Sequence, residues 1–192
     1  MASLSARPPQ VANVGAACAA AAPANVGARV SLAPMDVRLA SVESELRDRL
    51  LALAPRPEQE RFAGRLAETL PAAEADPDRE PVAILADGEP VGFFVLHRGP
   101  GAGVLAPEDR DVLLRAFLVD AAAQGRGIAT RALAALPDFV AERLPGVRRI
   151  VLSVNTHNPV AIRTYKRAGF ADSGELYHGG AGGPQHVFEL WI

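Results

Sequence analysis

Two segments of the chain hold residue types whose spacing could support chemistry, and the first is residues 119–130. It reads VDAAAQGRGIAT, an apolar run that leads through two glycines into a helix-forming stretch. The first N–H groups of a helix have no partner within the helix and converge on one point, where they bind phosphate or pyrophosphate. Gly125 and Gly127 would let an anion approach the backbone, and Arg126 and Arg131 could add positive charge. The segment therefore predicts an anion site, although an ordinary helix start with glycines for chain reversal would leave the same pattern.

The second segment, residues 154–170, reads VNTHNPVAIRTYKRAGF. Asn158 suits the N-cap of a helix, Pro159 the first helical position and Gly169 the left-handed residue after the last turn. A short capped helix explains these three residues but not Tyr165, one of only two tyrosines in the chain. Tyr165 is therefore the residue of this segment that a purely structural interpretation leaves unexplained.

Hydrophobic periodicity predicts a mixed α/β (α+β) fold around both segments. Apolar runs predict seven strands, at residues 37–42, 82–85, 91–96, 111–119, 150–154, 170–176 and 187–192. Apolar residues spaced three and four apart predict four helices, at residues 42–53, 58–75, 127–144 and 158–168. Asp87 and Gly88 predict the turn of a hairpin between the second and third strands. The mixture of an early hairpin with later strand–helix–strand units indicates one mixed domain.

Composition and charge exclude several classes of protein. The 192 residues carry 20 basic and 22 acidic side chains, a net charge of −2, which argues against a general nucleic-acid binder. A single cysteine, Cys18, excludes an internal disulfide framework. No metal site is expected from the scattered histidines, which are His97, His157, His178 and His186. No run of about eighteen strongly apolar residues occurs, so we expect no membrane span and a cytoplasmic protein.

Residues 1–34 differ in composition from the rest of the chain. They contain no acidic residue, two arginines and a nearly all-alanine run. Pro8 and Pro9 stand where the apolar region of a signal peptide would begin. We therefore expect a disordered leader over residues 1–34 and one domain over residues 35–192. A cleaved signal peptide and a translation start at Met35 are the alternatives.

Both chemical segments resemble motifs of the GNAT superfamily of N-acetyltransferases. Residues 124–129, QGRGIA, are similar to the acyl-CoA motif Q/R-x-x-G-x-G/A, and residues 158–170 are similar to the pattern N-x-x-A-x-x-x-Y-x-x-x-G-F at every fixed position. The resemblance extends over residues 36–192. It implies a central, mostly antiparallel sheet that is splayed at the CoA site, with helices on both faces. It also implies acetyl-CoA as cosubstrate, no metal ion, and a homodimer as one oligomeric state, since dimers are common in the superfamily.

The resemblance also implies roles for individual residues. Tyr165 would protonate the departing CoA thiolate, and Asn158 would bind the pantetheine arm or hold the adjoining strands, with Asn155 a weaker candidate. The exposed edge of strand 115–119 would pair with the pantetheine as an added strand does. Its expected contacts are the backbones of Phe117, Leu118 and Val119, one of which would polarise the acetyl carbonyl. The remaining cofactor contacts would be Gln124, Gly125, Arg126, Gly127, Ile128, Ala129 and Thr130.

The N-terminal half bears on the acetyl acceptor. Residues 58–62 and 88–93 resemble those of bacterial diamine and spermidine acetyltransferase-like members of the superfamily. Residues 41–90 carry twelve acids and six arginines, a net charge of −6, whereas residues 110–170 carry a net charge of +6. The basic part holds the CoA motifs, and the acidic part would attract a small cationic amine such as a polyamine. Acids that merely solvate two amphipathic helices would give the same charge.

The sequence leaves other acceptors and another class of function open. An amine of a protein, an antibiotic or an amino acid fits the same motifs, and so does a module that senses CoA without catalysis. The general base is not identifiable, because Arg115 stands where many relatives place a glutamate. Glu68, Glu74, Asp120 or a water chain would have to serve instead.

Overall fold

The strands form one seven-stranded sheet in the order β1-β2-β3-β4-β5-β7-β6. This computed structural model describes residues 35–179 and 182–192, so the predicted leader lies outside the described residues. The strands are β1 Val37–Ser41, β2 Arg79–Ala86, β3 Glu89–His97, β4 Asp111–Val119, β5 Arg149–Asn155, β6 Ala171–Tyr177 and β7 Gln185–Trp191. The α-helices are α1 Ser44–Leu51, α2 Glu60–Ala63, α3 Leu66–Glu74, α4 Ile128–Arg143 and α5 Pro159–Arg167. The mixed α/β prediction is confirmed.

The sheet opens between β4 and β5. Neighbouring strands pair antiparallel except for this pair, which is parallel. The parallel ladder joins Asp111, Val112 and Leu113 to residues 149–151, and no further pairing between the two strands is found among the described residues. Beyond Leu113, β4 follows β3 while β5 follows β7, which leaves a V-shaped opening.

An ion pair closes the narrow end of this opening. Arg149 donates to both carboxylate oxygens of Asp111, from Nε at 2.9 Å and from Nη2 at 2.6 Å, and its Nη1 donates to Glu189 at 2.9 Å. Burial alone would raise the pKa of Asp111, but the hydrogen bonds from Arg149 and from the Glu108 N–H, together with the Arg149 charge, lower it. The side chain of Asp111 is 3% exposed, so this pair joins the two strands at a largely dry position.

Helices cover both faces of the sheet, as expected. On one face, Ile128, Leu133, Leu136 and Val140 of α4 are at most 1% exposed and pack in one core cluster with β2 to β5. On the other face, a second cluster contains residues of α1 and α3 with Leu118 of β4. The spacing of these apolar residues produces the amphipathic helices that the sequence predicted.

The predicted helix over residues 58–75 is wrong as a single element. A 3₁₀ turn at Pro57–Gln59 and α2 come first, and the chain then breaks at Gly64 before α3 begins. Gly64 has a φ of +71°, a left-handed conformation that ends helices and favours glycine. The predicted hairpin turn is confirmed, since Asp87 and Gly88 have φ values of +51° and +86°.

Candidate active site

The edge of β4 that faces the opening carries two of the predicted backbone contacts. The Asp120 N–H, directly after β4, donates to the Val91 carbonyl of β3 at 2.8 Å. Successive residues of an antiparallel strand direct their backbone groups to opposite sides. The backbone groups of Leu118 therefore face β3, and those of Phe117 and Val119 face the opening. Of the three predicted contacts, Phe117 and Val119 have the suitable orientation, and Leu118 is buried in the core on the α1 and α3 face.

A β-bulge lies at the start of this edge. Ala116 and Phe117 of β4 stand opposite one residue of β3, Phe94. Ala116 has a φ of +54°, which is uncommon for a residue with a side chain. Bulges redirect side chains and backbone groups and are frequent beside active sites. The bulge therefore marks the point where β4 turns its backbone toward the opening.

The predicted phosphate loop fits an anion. Gly125 and Gly127 have φ values of +81° and +77°, and a Cβ added at either position would meet no atom within 4 Å. Both glycines and Arg126 are exposed, while Ile128 is buried in the core. The sixteen-residue α4 begins here with no side-chain cap and no acid in its first turn. Its first N–H groups and the positive end of its dipole are therefore available to the pyrophosphate of CoA.

Three further residues of this loop have different surroundings. Ala129 packs against the core, and Thr130 is exposed at the surface of the first turn of α4. The Gln124 side chain is engaged within the protein, because its Nε2 donates to Gln59 Oε1 at 2.7 Å and to the Val119 carbonyl at 2.9 Å. Both protons of the Gln124 amide are therefore engaged, and the side chain ties the end of β4 to the turn before α2.

Tyr165 lies in an aromatic cluster beside the opening. Its side chain is 9% exposed, and its ring centroid lies 6.2 Å from that of Phe117, 5.8 Å from Phe170 and 6.4 Å from Phe188. Burial raises the pKa of the Tyr165 hydroxyl above its ordinary value, so the group is a neutral phenol at physiological pH. No hydrogen-bond partner of this hydroxyl is found in the described part of the chain, so the group can donate to a ligand.

The two candidate asparagines differ in what their amides contact. Asn155 is 7% exposed; its Nδ2 donates to the Gly182 carbonyl, and its Oδ1 accepts from the His157 N–H at 2.8 Å. Asn155 therefore fastens the end of β5 to the loop before β7. Asn158 caps α5, because its Oδ1 accepts from the Ala161 N–H at 3.1 Å. Its NH₂ group has no partner within residues 35–179 and 182–192, so it can donate to a ligand.

Only one of the three carboxylates considered as a base faces a cavity near β4. Glu74 accepts two hydrogen bonds from Arg47 Nε, at 3.0 and 3.1 Å. Asp120 accepts from the Ala54 N–H and the Ala122 N–H, one with each oxygen, so it holds the loop after β4. Glu68 lines a cavity of about 230 Å³ together with Arg115 of β4.

This cavity also contains residues that sequence reasoning missed. Arg79 of β2 lines it with Arg115 and with Thr69 of α3. His97, fully buried, pairs with Arg79 in the β2–β3 register, and its Nδ1 lies 3.3 Å from Arg115 Nη1. Arg79 and Arg115 are 36 positions apart in the chain, with His97 midway between them, so only the strand pairing brings the three residues together. A second cavity, of about 270 Å³ near Ser41, contains none of the predicted site residues.

Within residues 35–179 and 182–192, no helix has the length and apolar character that a membrane span needs. No group of three or more His, Cys, Asp or Glu side chains among these residues could hold a metal ion.

Comparisons with known proteins agree with this architecture. A sequence model of the acetyltransferase (GNAT) family matches residues 40–170. The chain is 34% identical over 142 residues to the uncharacterized N-acetyltransferase YbbJ of Bacillus subtilis, covering 72% of this chain and 88% of that protein. It is 36% identical over 102 residues to the spermine/spermidine N(1)-acetyltransferase of the same organism, covering 50% and 62%.

A solved structure extends the likeness to the fold. The aminoglycoside acetyltransferase AAC(6')-Ib in complex with coenzyme A superposes with a TM-score of 0.68 at 22% identity, covering 81% of this chain and 95% of that chain. The predicted splayed sheet with helices on both faces is therefore confirmed as the fold of these acetyltransferases. Because the family match spans residues 40–170, the chain belongs to the GNAT family and is an acetyl-CoA-dependent N-acetyltransferase.

Proposed function

We propose that the chain transfers the acetyl group of acetyl-CoA to the primary amine of a small molecule by direct attack in a ternary complex. The observation that carries this proposal is the position of Tyr165, whose ring contacts Phe117 where the backbone of β4 turns toward the opening. Cys18, the chain's one cysteine, lies in the predicted leader, so the proposal includes no acetyl-cysteine intermediate.

In the proposed complex, acetyl-CoA binds mainly to backbone groups that have no partner among the described residues. Acetyl-CoA supplies an activated acetyl thioester. The N–H groups at Gly125, Gly127 and the first turn of α4 bind its pyrophosphate, and Arg126 adds a positive charge at the rim. The backbone of Phe117 and the N–H of Val119 pair with the pantetheine as a neighbouring strand would, while the Val119 carbonyl keeps its bond from Gln124, and Asn158 donates its free NH₂ to the same arm.

The proposed chemistry moves one proton from the amine and one toward sulfur. The amine nitrogen bonds to the acetyl carbon as the bond from that carbon to sulfur breaks, and the nitrogen loses a proton to Glu68 or to water. A backbone N–H of β4 polarises the acetyl oxygen. Tyr165 donates a hydrogen bond to the sulfur that leaves. Because burial raises its pKa, Tyr165 acts first as a hydrogen-bond donor, and full proton transfer requires the developing charge on sulfur.

Four further predictions from the sequence belong to the proposal. The catalytic domain is residues 35–192, and a cytoplasmic location would match the supply of acetyl-CoA. A homodimer is retained from the family resemblance, to be tested by sedimentation of the full chain. The likeness to the spermine/spermidine N(1)-acetyltransferase makes a polyamine one candidate acceptor, to be tested beside other small amines.

An amine panel tests the proposal. The purified full chain is incubated with acetyl-CoA and each of a set of diamines, aminoglycosides, amino acids and peptides, and released CoASH is measured with a thiol reagent. We expect amine-dependent release with at least one small primary amine. Binding of acetyl-CoA in calorimetry without release of CoASH for any amine would instead establish a CoA-sensing module.

A further inference from the structure

The cavity between α3 and β4 holds an arginine without an acidic partner. Arg115 directly precedes the bulge in β4 and is accessible to solvent. No carboxylate lies within ion-pair distance of it in the described ranges, 35–179 and 182–192. Burial, and next the charge of Arg79, lower the pKa of Arg115. A guanidinium nevertheless stays charged in a protein, so this position would stabilise a bound anion.

His97 holds the Arg115 guanidinium in position. The His97 side chain is fully buried, and its Nδ1 lies 3.3 Å from Arg115 Nη1. Burial, followed by the charges of Arg79 and Arg115, lowers the pKa of His97, so the imidazole is neutral at pH 7. A guanidinium can only donate, so Nδ1 accepts and the proton of the ring is on Nε2. His97 is therefore a positioning residue for Arg115.

The acids of the N-terminal half do not make this cavity negative. Five of them are paired with arginines, namely Glu68 with Arg65, Glu74 with Arg47, Glu89 with Arg49, Asp76 with Arg79 and Glu80 with Arg143. Among the described residues that line the cavity, Glu68 is the only carboxylate; it pairs with Arg65, and two arginines, Arg79 and Arg115, line the same cavity. A polyamine would place further positive charge beside Arg115, where like charges repel.

We propose, resting on the acetyl transfer proposed above, that the acceptor is a small primary amine that also bears a carboxylate, and that Arg115 binds this carboxylate. Arg115 lies two residues before Phe117, so the backbones of these two residues are at most roughly 7 Å apart. The amine can therefore stand at Phe117 while a carboxylate a few carbon atoms away reaches the guanidinium. Arginine binds carboxylates through two parallel N–H donors, which gives orientation as well as affinity.

Matched acceptors test this inference. The full chain is assayed for CoASH release with L-leucine, L-phenylalanine and 4-aminobutanoate, each against the amine that lacks its carboxylate: isoamylamine, phenethylamine and propylamine. Putrescine and spermidine are included as polycations. For the best pair, we expect kcat/KM to be roughly 10- to 100-fold higher with the carboxylate, the range of a charge-assisted interaction. Equal values within each pair, or a preference for the polycations, would overturn the inference and leave acetyl transfer standing.

An arginine variant locates the effect. Arg115→Gln should lower kcat/KM by at least roughly 10-fold for the preferred carboxylate acceptor and change it by less than about twofold for the matched amine. Arg115→Lys should restore part of the difference. Arg38→Gln, on a side chain that is 71% exposed, makes the same charge change away from the cavity. An equal loss for both members of the pair, with acetyl-CoA affinity and melting temperature unchanged, would overturn the role of Arg115. Release of no CoASH from any acceptor, despite acetyl-CoA binding, would instead overturn the proposed function.

Discussion

Replacement of Tyr165 by phenylalanine removes the hydroxyl and keeps the aromatic packing. The ring contacts with Phe117, Phe170 and Phe188, at centroid distances of 5.8 to 6.4 Å, do not need the oxygen. The hydroxyl has no partner in the described part of the chain, so its removal leaves no buried donor or acceptor unsatisfied. We therefore expect the free energy of unfolding to change by less than about 1 kcal/mol.

The same replacement should lower turnover substantially, although it leaves the stability nearly unchanged. A positioned proton donor contributes roughly 10²- to 10⁴-fold to a rate. Because burial raises the pKa of Tyr165, the phenol is a poorer acid than a thiol, whose ordinary pKa is about 8.5. We therefore expect the low end, a loss in kcat of about 10²-fold, which corresponds to roughly 2.7 kcal/mol in the barrier. Acetyl-CoA affinity should stay within about twofold, because the hydrogen bond to sulfur forms mainly as the thiolate leaves.

The assay is steady-state CoASH release from pH 6 to 10, with acetyl-CoA affinity from calorimetry and stability from thermal unfolding. The raised pKa keeps Tyr165 protonated over this range, so wild-type turnover should show no alkaline decline from this residue. Thr164→Val, which removes a hydroxyl that donates to the Val160 carbonyl within the same helix, is the control and should keep wild-type turnover. A Tyr165→Phe protein with turnover within about twofold of the wild type at every pH would refute the assigned role.

Three further predictions concern the sheet, the cofactor loop and the leader. Asp111→Asn should lower the free energy of unfolding, measured in urea, by about 2–3 kcal/mol. This is less than the full cost of breaking a buried ion pair, because Arg149 retains its ion pair with Glu189. Because folding lowers the pKa of Asp111, the ion pair stabilises the protein fully above pH 3.8, the ordinary pKa of the group, and this stabilisation is lost as the pH falls through the lowered pKa. If the wild type remained more stable than the Asp111→Asn variant in strong acid, the ion pair would not be the cause. Gly127→Ala should weaken acetyl-CoA binding at least about fivefold in calorimetry. Gly146→Ala is the control, because Gly146 also has a positive φ and open space around it, and it should leave the affinity unchanged. An equal loss of affinity in both variants would contradict a phosphate site at the start of α4. A chain that begins at Met35 should keep wild-type kcat and acetyl-CoA affinity, and a loss of either would place part of the function in residues 1–34.

Local patterns predicted the elements that depend on local interactions. The strand Asp111–Val119 has the bounds that its continuous apolar run predicts, and α5 lies between the Asn158 cap and Gly169. The break at Gly64 was missed because the apolar spacing continues across it, while the left-handed glycine ends α2. Periodicity reports which face of a helix is buried, and it is insensitive to one residue that changes the backbone direction.

Some candidate site residues have side chains that form hydrogen bonds within the protein, which the sequence did not predict. Asn155 and Gln124 were selected by position in a motif, yet their amides bond to Gly182 and to Gln59. Asp120 was a candidate base by proximity to β4, and both of its oxygens accept backbone N–H groups. No sequence pattern reveals such engagements, because each partner comes from a separate segment of the chain.

The sequence by itself determined the chemistry at the ends of two elements: an uncapped helix start after Gly127 and a capped short helix that carries Tyr165. Both depend on interactions within a few residues. The tertiary structure alone decided how charge is distributed around the cavity between α3 and β4. The net charge of −6 over residues 41–90 suggested a cationic substrate, but of these acids only Glu68 lines the cavity, and the strand register places Arg79 and Arg115 there. A charge acts through its position and its partners, and only the fold specifies both.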